Sequence, residues 1–226
     1  MAIRTEEGWI RVYKEKDALW IHDGNMVRPH ARLTSGKHST GFFNSRLVIP
    51  DEVLLREAAS DLLEIFVSQG GDIVRVEGVV GPQTGATKLA EWMAYAKGSC
   101  FWASPAKSEK GREKLIIFSR KELDLLPGQS VLLCEDVLTT GGSVELTATA
   151  VTNAGGIVLP FVAVLVNRSG LKEIGGRKIV ALIDRDMPTW FPEECPLCKQ
   201  GSKGLFPKDP ANWALLNATY PEKENI

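Results

Sequence analysis

The spacing of apolar residues changes period several times along this chain. Between residues 6 and 22, Trp9, Ile10, Val12, Tyr13, Leu19 and Trp20 recur among charged positions, and this spacing predicts a helix. Residues 31–49 hold few helix formers and many turn residues around Phe42 and Phe43, so loop and short strand are expected. Pro50 and Asp51 open a predicted helix over 51–69. Its apolar stripe is Val53, Leu54, Ala58, Leu62, Leu63 and Phe66, and Gly70-Gly71 end it. The run Val74 to Val80 predicts a strand, 81–85 a tight loop, 86–97 a helix and 99–103 a second strand.

From Ser104 to Lys114 the chain turns polar and basic, with Lys107, Lys110, Arg112 and Lys114, and a mobile loop is expected. Leu115 to Phe118 suggests a short strand. Ser130 to Cys134 is almost continuously apolar after Pro127-Gly128, the mark of a strand buried on both faces of a parallel sheet. Residues 143–154 predict a helix closed by Gly155-Gly156, and 159–166 and 178–183 predict further strands. This alternation argues for an α/β fold, a doubly wound and mainly parallel sheet flanked by helices. The tail from Met187, rich in Pro, Gly and Lys, is expected to be extended.

With 226 residues, 44% of them hydrophobic and 24% charged, the chain can bury an ordinary core without disulfides or metals. A net charge of −1 supplies no overall basic field, so neither nucleic acid nor a membrane surface is an expected partner. No apolar run approaches the roughly 20 residues that span a bilayer, and the first residues lack an apolar signal core. A cytoplasmic location is therefore expected. Cys100 and Cys134 sit among strand-like residues as buried small hydrophobes. Cys195-Pro-Leu-Cys198 has the spacing of half a zinc site or of a redox dithiol. Because His22, His30 and His38 are all N-terminal, a complete four-ligand site within one chain is not expected.

The chemistry concentrates where the predicted strand reaches Glu135-Asp136 and leads through Val137-Leu138 into Thr139-Thr140-Gly141-Gly142-Ser143 and a helix. Ligands of open parallel sheets bind beyond the carboxyl ends of strands. Glycines let backbone approach a phosphate, and the amides at a helix start point at an anion. The hydroxyls of Thr139, Thr140 and Ser143 add donors. Two acids can hold ribose hydroxyls, or a divalent cation through water. A helix cap beside solvated acids would explain each part singly; strand, acid pair, hydroxyl-glycine loop and helix together favour a ligand site. The Gly-Lys-Ser/Thr phosphate loop and the spaced-glycine dinucleotide fingerprint are both absent from the sequence.

The segment Val131 to Ser143 resembles the phosphoribosyl pyrophosphate signature of type I phosphoribosyltransferases. That resemblance implies their fold, with the two acids on the ribose hydroxyls and the loop on the 5-phosphate. Enzymes acting on other bases, such as purines, and some non-catalytic regulators share the motif. Leu33-Thr34-Ser35-Gly36-Lys37-His38-Ser39, followed by Phe42 and Phe43, is similar to the base-bordering segment of orotate phosphoribosyltransferases. Strand 162–166 ends in Asn167-Arg168, where that family commonly has Asp-Arg and uses the arginine on the orotate carboxylate. A guanidinium suits a planar carboxylate because it donates two parallel hydrogen bonds. A Cys-Pro-Leu-Cys tail occurs in one subgroup.

The likeness implies an N-terminal hood over 1–50, a core over 51–186 and a tail over 187–226. It implies phosphoribosyl pyrophosphate and orotate as substrates, Mg²⁺ as cofactor and a homodimer. It gives Phe42, Phe43 and Arg168 to the base side and adds Lys37 to the substrate-binding residues. The loop 104–114 is expected to bring Lys107, Lys110 or Arg112 to the pyrophosphate, and Glu135 and Asp136 fall to ribose and, indirectly, metal. The loop 81–85 stands where some members carry a lysine that this chain lacks.

Overall fold

The computed structural model describes residues 3–110 and 113–221. Helix α1 (Glu6–Glu15) starts at Thr5, whose hydroxyl accepts from the Gly8 amide. It is shorter than the apolar spacing suggests. The chain turns at Asp17, which takes a φ of 51°, and Leu19–Ile21 then pairs antiparallel with Gly41–Phe43. Trp20 is therefore a strand residue, held by a partner some twenty positions away that local periodicity cannot reveal. Helix α2 (Glu52–Ser68) is capped by Asp51. Ala58, Leu62, Leu63 and Phe66 face the core as expected, but Val53 is 76% exposed and Leu55 is buried.

The expected strand from Val74 is real only as β1 (Gly78–Val80). Asp72 accepts from the Val74 amide and folds Ile73–Arg75 into a 3₁₀ turn. Helix α3 (Thr87–Lys97) and strand β2 (Phe101–Ala103) follow. The apolar run at 130 begins strand β3 (Ser130–Leu138), which continues past the two acids instead of ending at them. After β3 come helix α4 (Gly142–Asn153), β4 (Ile157–Asn167), β5 (Glu173–Ile174) and β6 (Arg177–Asp184). The sheet order is β5-β6-β4-β3-β1-β2, parallel except for the β5–β6 pair.

Side-chain alternation explains the apolar runs. Leu132 and Cys134 of β3 join Leu62, Leu89 and Met93 of α2 and α3 on one face. Val131 and Leu133 join Val144, Ala148 and Val151 of α4 on the other. With helices on both faces Val131 to Cys134 are shut off from solvent, so that run of β3 is apolar throughout. Cys134 is buried as expected, whereas Cys100 is only half-buried.

Two expectations of irregular chain, a loop and an extended tail, are overturned. The polar stretch after Ser104 includes an antiparallel hairpin, Ala106–Lys110 against Glu113–Ile117, in which Glu109 stands opposite Lys114. Opposite charges across a strand pair supply the side-chain attraction that apolar residues supply elsewhere. Nor is the tail extended. Thr189–Trp190 and Gly204–Leu205 add to His30–Arg32 and His38–Ser39 in a four-stranded sheet, and a helix covers Pro210–Asn217. Leu205, Trp213 and Leu216 pack with Trp20, Ala31, Leu33 and Phe42. Trp20 Nε1 donates to the Leu216 carbonyl at 2.8 Å. The two ends of the chain thus build one hood layer. Among the described residues, no helix is long and apolar enough to cross a membrane.

Candidate active site

Strands β1 and β3 are neighbours, yet the helices that follow them pack on opposite faces of the sheet. The connections diverge there and leave a crevice beyond the strand ends. A cleft of about 740 Å³ occupies that place. Glu135, Asp136, Thr139 and Ser143 line its floor, Gln83, Thr84 and Gly85 one side, and Leu33, Phe42, Phe43 and Arg168 the hood side. The hairpin contributes Lys107 and Lys114.

The two acids follow each other on β3 and both line the cleft. Asp136 meets the loop after β1, where a Cβ at Gly85 would overlap its carboxyl; glycine makes room for that approach. Glu135 is 4% exposed, with Lys107 Nζ 3.5 Å from its Oε2. Burial, then the neighbouring Asp136 carboxylate, pushes the Glu135 carboxyl up to about 8, and Lys107 offsets only part of this. Beyond β3, Gly141 takes a φ of 79°, and a Cβ there would run into Ile174. Thr139, Thr140 and Gly142 are exposed. Among the described residues, the amides of 140–143 have no internal acceptor, as befits a helix start aimed at an anion.

Arg168 is buried, and Asp186 opposes the effect of that burial, which lowers its pKa to about 10; it stays charged at neutral pH. Its Nη1 donates to the Gly41 carbonyl at 2.9 Å and its Nη2 to Ser39 Oγ at 2.7 Å, while Nε has no partner. The guanidinium is thereby fixed beside Phe42 and Phe43 with donor capacity unspent. Phe42 packs on Trp213 and Phe43 on Tyr13, so both are core residues as well as cleft wall. Asn167 donates to the Leu171 carbonyl and to Asp184 Oδ1 and accepts from Ser169. An aspartate could not donate to Asp184, which accounts physically for the amide here.

The expected site residues do not all converge. Lys37 lies over the Phe191 ring, 4.8 Å from its centroid, and does not line the cleft. Lys110 ends the first hairpin strand, and Arg112 lies outside the described residues. Conversely, the sequence reading missed Arg46 and Lys208. The Lys208 pKa is lowered by partial burial of its ammonium and by Arg46, though much of the residue stays exposed. No local motif marks Lys208, which arrives from the tail. The floor also fits Mg²⁺, an ion that keeps several waters and takes one or two carboxylates plus substrate oxygens. Glu135 and Asp136 are that pair.

The fold is that of a type I phosphoribosyltransferase. The structure is similar to that of orotate phosphoribosyltransferase from Aeropyrum pernix, with TM-score 0.59 and 26% identity over 76% of this chain and 91% of that one. It also resembles a phosphoribosyltransferase from Corynebacterium diphtheriae, a likeness of fold at TM-score 0.57 and 20% identity that covers 79% and 94% of the two chains. No protein-family model matches. In sequence the chain is 36% identical over 191 residues to orotate phosphoribosyltransferase of Desulforamulus reducens, and 37% over 197 residues to that of Pelotomaculum thermopropionicum. Each match covers 84% of this chain and at least 93% of the relative. The chain belongs to the orotate phosphoribosyltransferase family.

Proposed function

We propose that the protein transfers the 5-phosphoribosyl group of phosphoribosyl pyrophosphate to orotate, giving orotidine monophosphate and pyrophosphate for pyrimidine nucleotide synthesis. The observation that carries this is the cleft itself: unpaired amides at 140–143, an acid pair beside them and a fixed guanidinium across from them. The 5-phosphate sits on residues 139–143, with the hydroxyls of Thr139, Thr140 and Ser143 as added donors. Glu135 and Asp136 hold the ribose hydroxyls. Orotate lies against Phe42 and Phe43 with its carboxylate on Arg168.

The bond from the anomeric carbon to pyrophosphate breaks and its electron pair leaves with the pyrophosphate. A ring nitrogen of orotate forms the new bond and releases its proton. The sugar becomes electron-poor on the way, and the acid pair opposes that positive charge. Lys107, or Lys110 or Arg112, meets the departing pyrophosphate, and the segment 104–114 shields the sugar from water. Glu135 and Asp136 would hold Mg²⁺ through water or ribose, and the ion would supply positive charge to neutralise the pyrophosphate. Lys37, turned to Phe191, is given no role. The reading includes a cytoplasmic homodimer in which the hairpin reaches toward the neighbour's site; sedimentation tests the dimer.

The direct test mixes protein, phosphoribosyl pyrophosphate, Mg²⁺ and orotate and follows orotate absorbance. Orotate should be consumed with release of one pyrophosphate, and Asp136→Asn or Thr140→Ala should slow it. Absence of turnover by the wild-type chain, or unchanged turnover in both variants, overturns the reading.

A further inference from the structure

In the hood, among residues that do not line the cleft, four side chains converge that the sequence separates by up to 168 positions: His30, His38, Cys195 and Cys198. We propose that they bind one zinc ion that staples the C-terminal tail to the N-terminal hood. Sequence spacing argued against a complete set because the histidines and the cysteine pair lie at opposite ends. The hood sheet brings those ends together.

The geometry is that of a four-ligand tetrahedral centre. One ligand atom from each residue lies within 4.8 Å of all the others. Cys195 Sγ and Cys198 Sγ are each 3.6 Å from His30 Nε2. His38 Nδ1 is 3.1 Å from Cys198 Sγ and 2.8 Å from His30 Nε2. Zinc with Zn–N of about 2.0 Å and Zn–S of about 2.3 Å sets tetrahedral ligand atoms roughly 3.3–3.8 Å apart. Reaching that spacing takes an outward shift of about half an ångström of His38 from His30, together with closure of the widest pair, which stands no more than 4.8 Å apart.

Three features beyond proximity favour an ion. Ser202 gives its one hydroxyl proton to the Arg28 carbonyl at 2.6 Å, so it can only accept from His30 Nδ1, 2.8 Å away. Nδ1 therefore carries the hydrogen, and the Nε2 lone pair is aimed at the centre; such outer hydrogen bonds orient ligating imidazoles. Gly204 passes close by: a Cβ there would stand 3.0 Å from His38 Cε1 and 3.4 Å from His30 Nε2, so glycine keeps the space clear. The cysteines are free thiols, and one turn of helix, Pro196–Lys199, presents them on one side. Two cysteines and two histidines are a donor set that zinc prefers. The ion would anchor the tail ten residues before Lys208, which lines the cleft.

The experiment uses the purified full chain and reads metal, not turnover, so it stands apart from the proposed activity. Elemental analysis after dialysis should find about one zinc per chain, as for a closed structural site. Chelated protein given cobalt(II) should develop the visible bands of a tetrahedral thiolate complex. Cys198→Ser and His38→Ala should each lose stoichiometric metal. Should either variant fold poorly, mapped alkylation of the wild type decides: zinc should shield Cys195 and Cys198, and chelation should expose them and open the tail to limited proteolysis. The proposal is overturned by wild-type protein that takes up neither metal, by a Cys195→Ser/Cys198→Ser chain that binds as well, by alkylation indifferent to chelation, or by a Cys195–Cys198 disulfide in place of the ion.

Discussion

Glu135→Gln separates what the site needs from what the fold prefers. In the unfolded chain this carboxyl ionises near 4.5; in the folded chain it ionises near 8 because burial and Asp136 disfavour its charge. Folding therefore holds a proton that the unfolded chain releases between those values. The stability associated with that proton is complete below pH 4.5 and is lost as pH rises toward 8. At about 1.4 kcal/mol for each pH unit of offset the loss has a ceiling on the order of 4–5 kcal/mol, and relaxation around Lys107 brings it to roughly 2–3 kcal/mol. Glutamine has the same shape and no charge to desolvate. The variant should match the wild type in stability at pH 4.5 and exceed it by about 2 kcal/mol at pH 8.5. Urea titrations across that range measure the difference. A gap that is constant with pH, or that widens toward acid, would refute the argument. Above pH 8, where Glu135 is ionised, the same variant should transfer the phosphoribosyl group poorly, since an amide opposes positive charge on the sugar less well than a carboxylate.

Arg168→Lys should keep a cation but lose the planar fork held by Gly41 and Ser39. Steady-state kinetics should show the KM for orotate rising at least tenfold while that for phosphoribosyl pyrophosphate changes little. Gly141→Ala places a methyl in a left-handed conformation against Ile174. Thermal melts should register a loss on the order of 1–3 kcal/mol, and phosphoribosyl pyrophosphate binding should weaken in calorimetry. Trp9→Phe removes the indole donor to Asp61, a buried carboxylate that burial already disfavours. Urea denaturation at pH 7 should show a loss of about 1–3 kcal/mol that shrinks in acid as Asp61 protonates.

The core and the floor of the site were legible because their signals are local. A strand buried on both faces must be apolar over consecutive positions, and Val131 to Cys134 are; a loop that must pass Ile174 with positive φ must hold glycine, and Gly141 is there. The hood was not legible because its elements exist only through distant partners. Leu19–Ile21 reads as the end of a helix until Gly41–Phe43 pairs with it, and Gly204–Leu205 is a strand only beside His30–Ala31. Lys208 stands in the cleft because of that pairing, and no residue around it announces the fact. The hairpin at 106–117 failed the apolar criterion because its cross-strand pairing includes opposite charges at Glu109 and Lys114.

The parallel pairing of His30–Ala31 with Gly204–Leu205 also sets a clock on biosynthesis. Some 174 residues lie between the partners, and at about 5–20 residues per second a ribosome needs roughly 10–35 s to deliver the second after the first. During that interval one border of His30–Arg32 has its amides and carbonyls bare, an invitation to wrong partners. That border stays open to wrong pairing until residues 204–205 leave the ribosome, which makes slow elongation or an absent chaperone most damaging in the interval between the two partners.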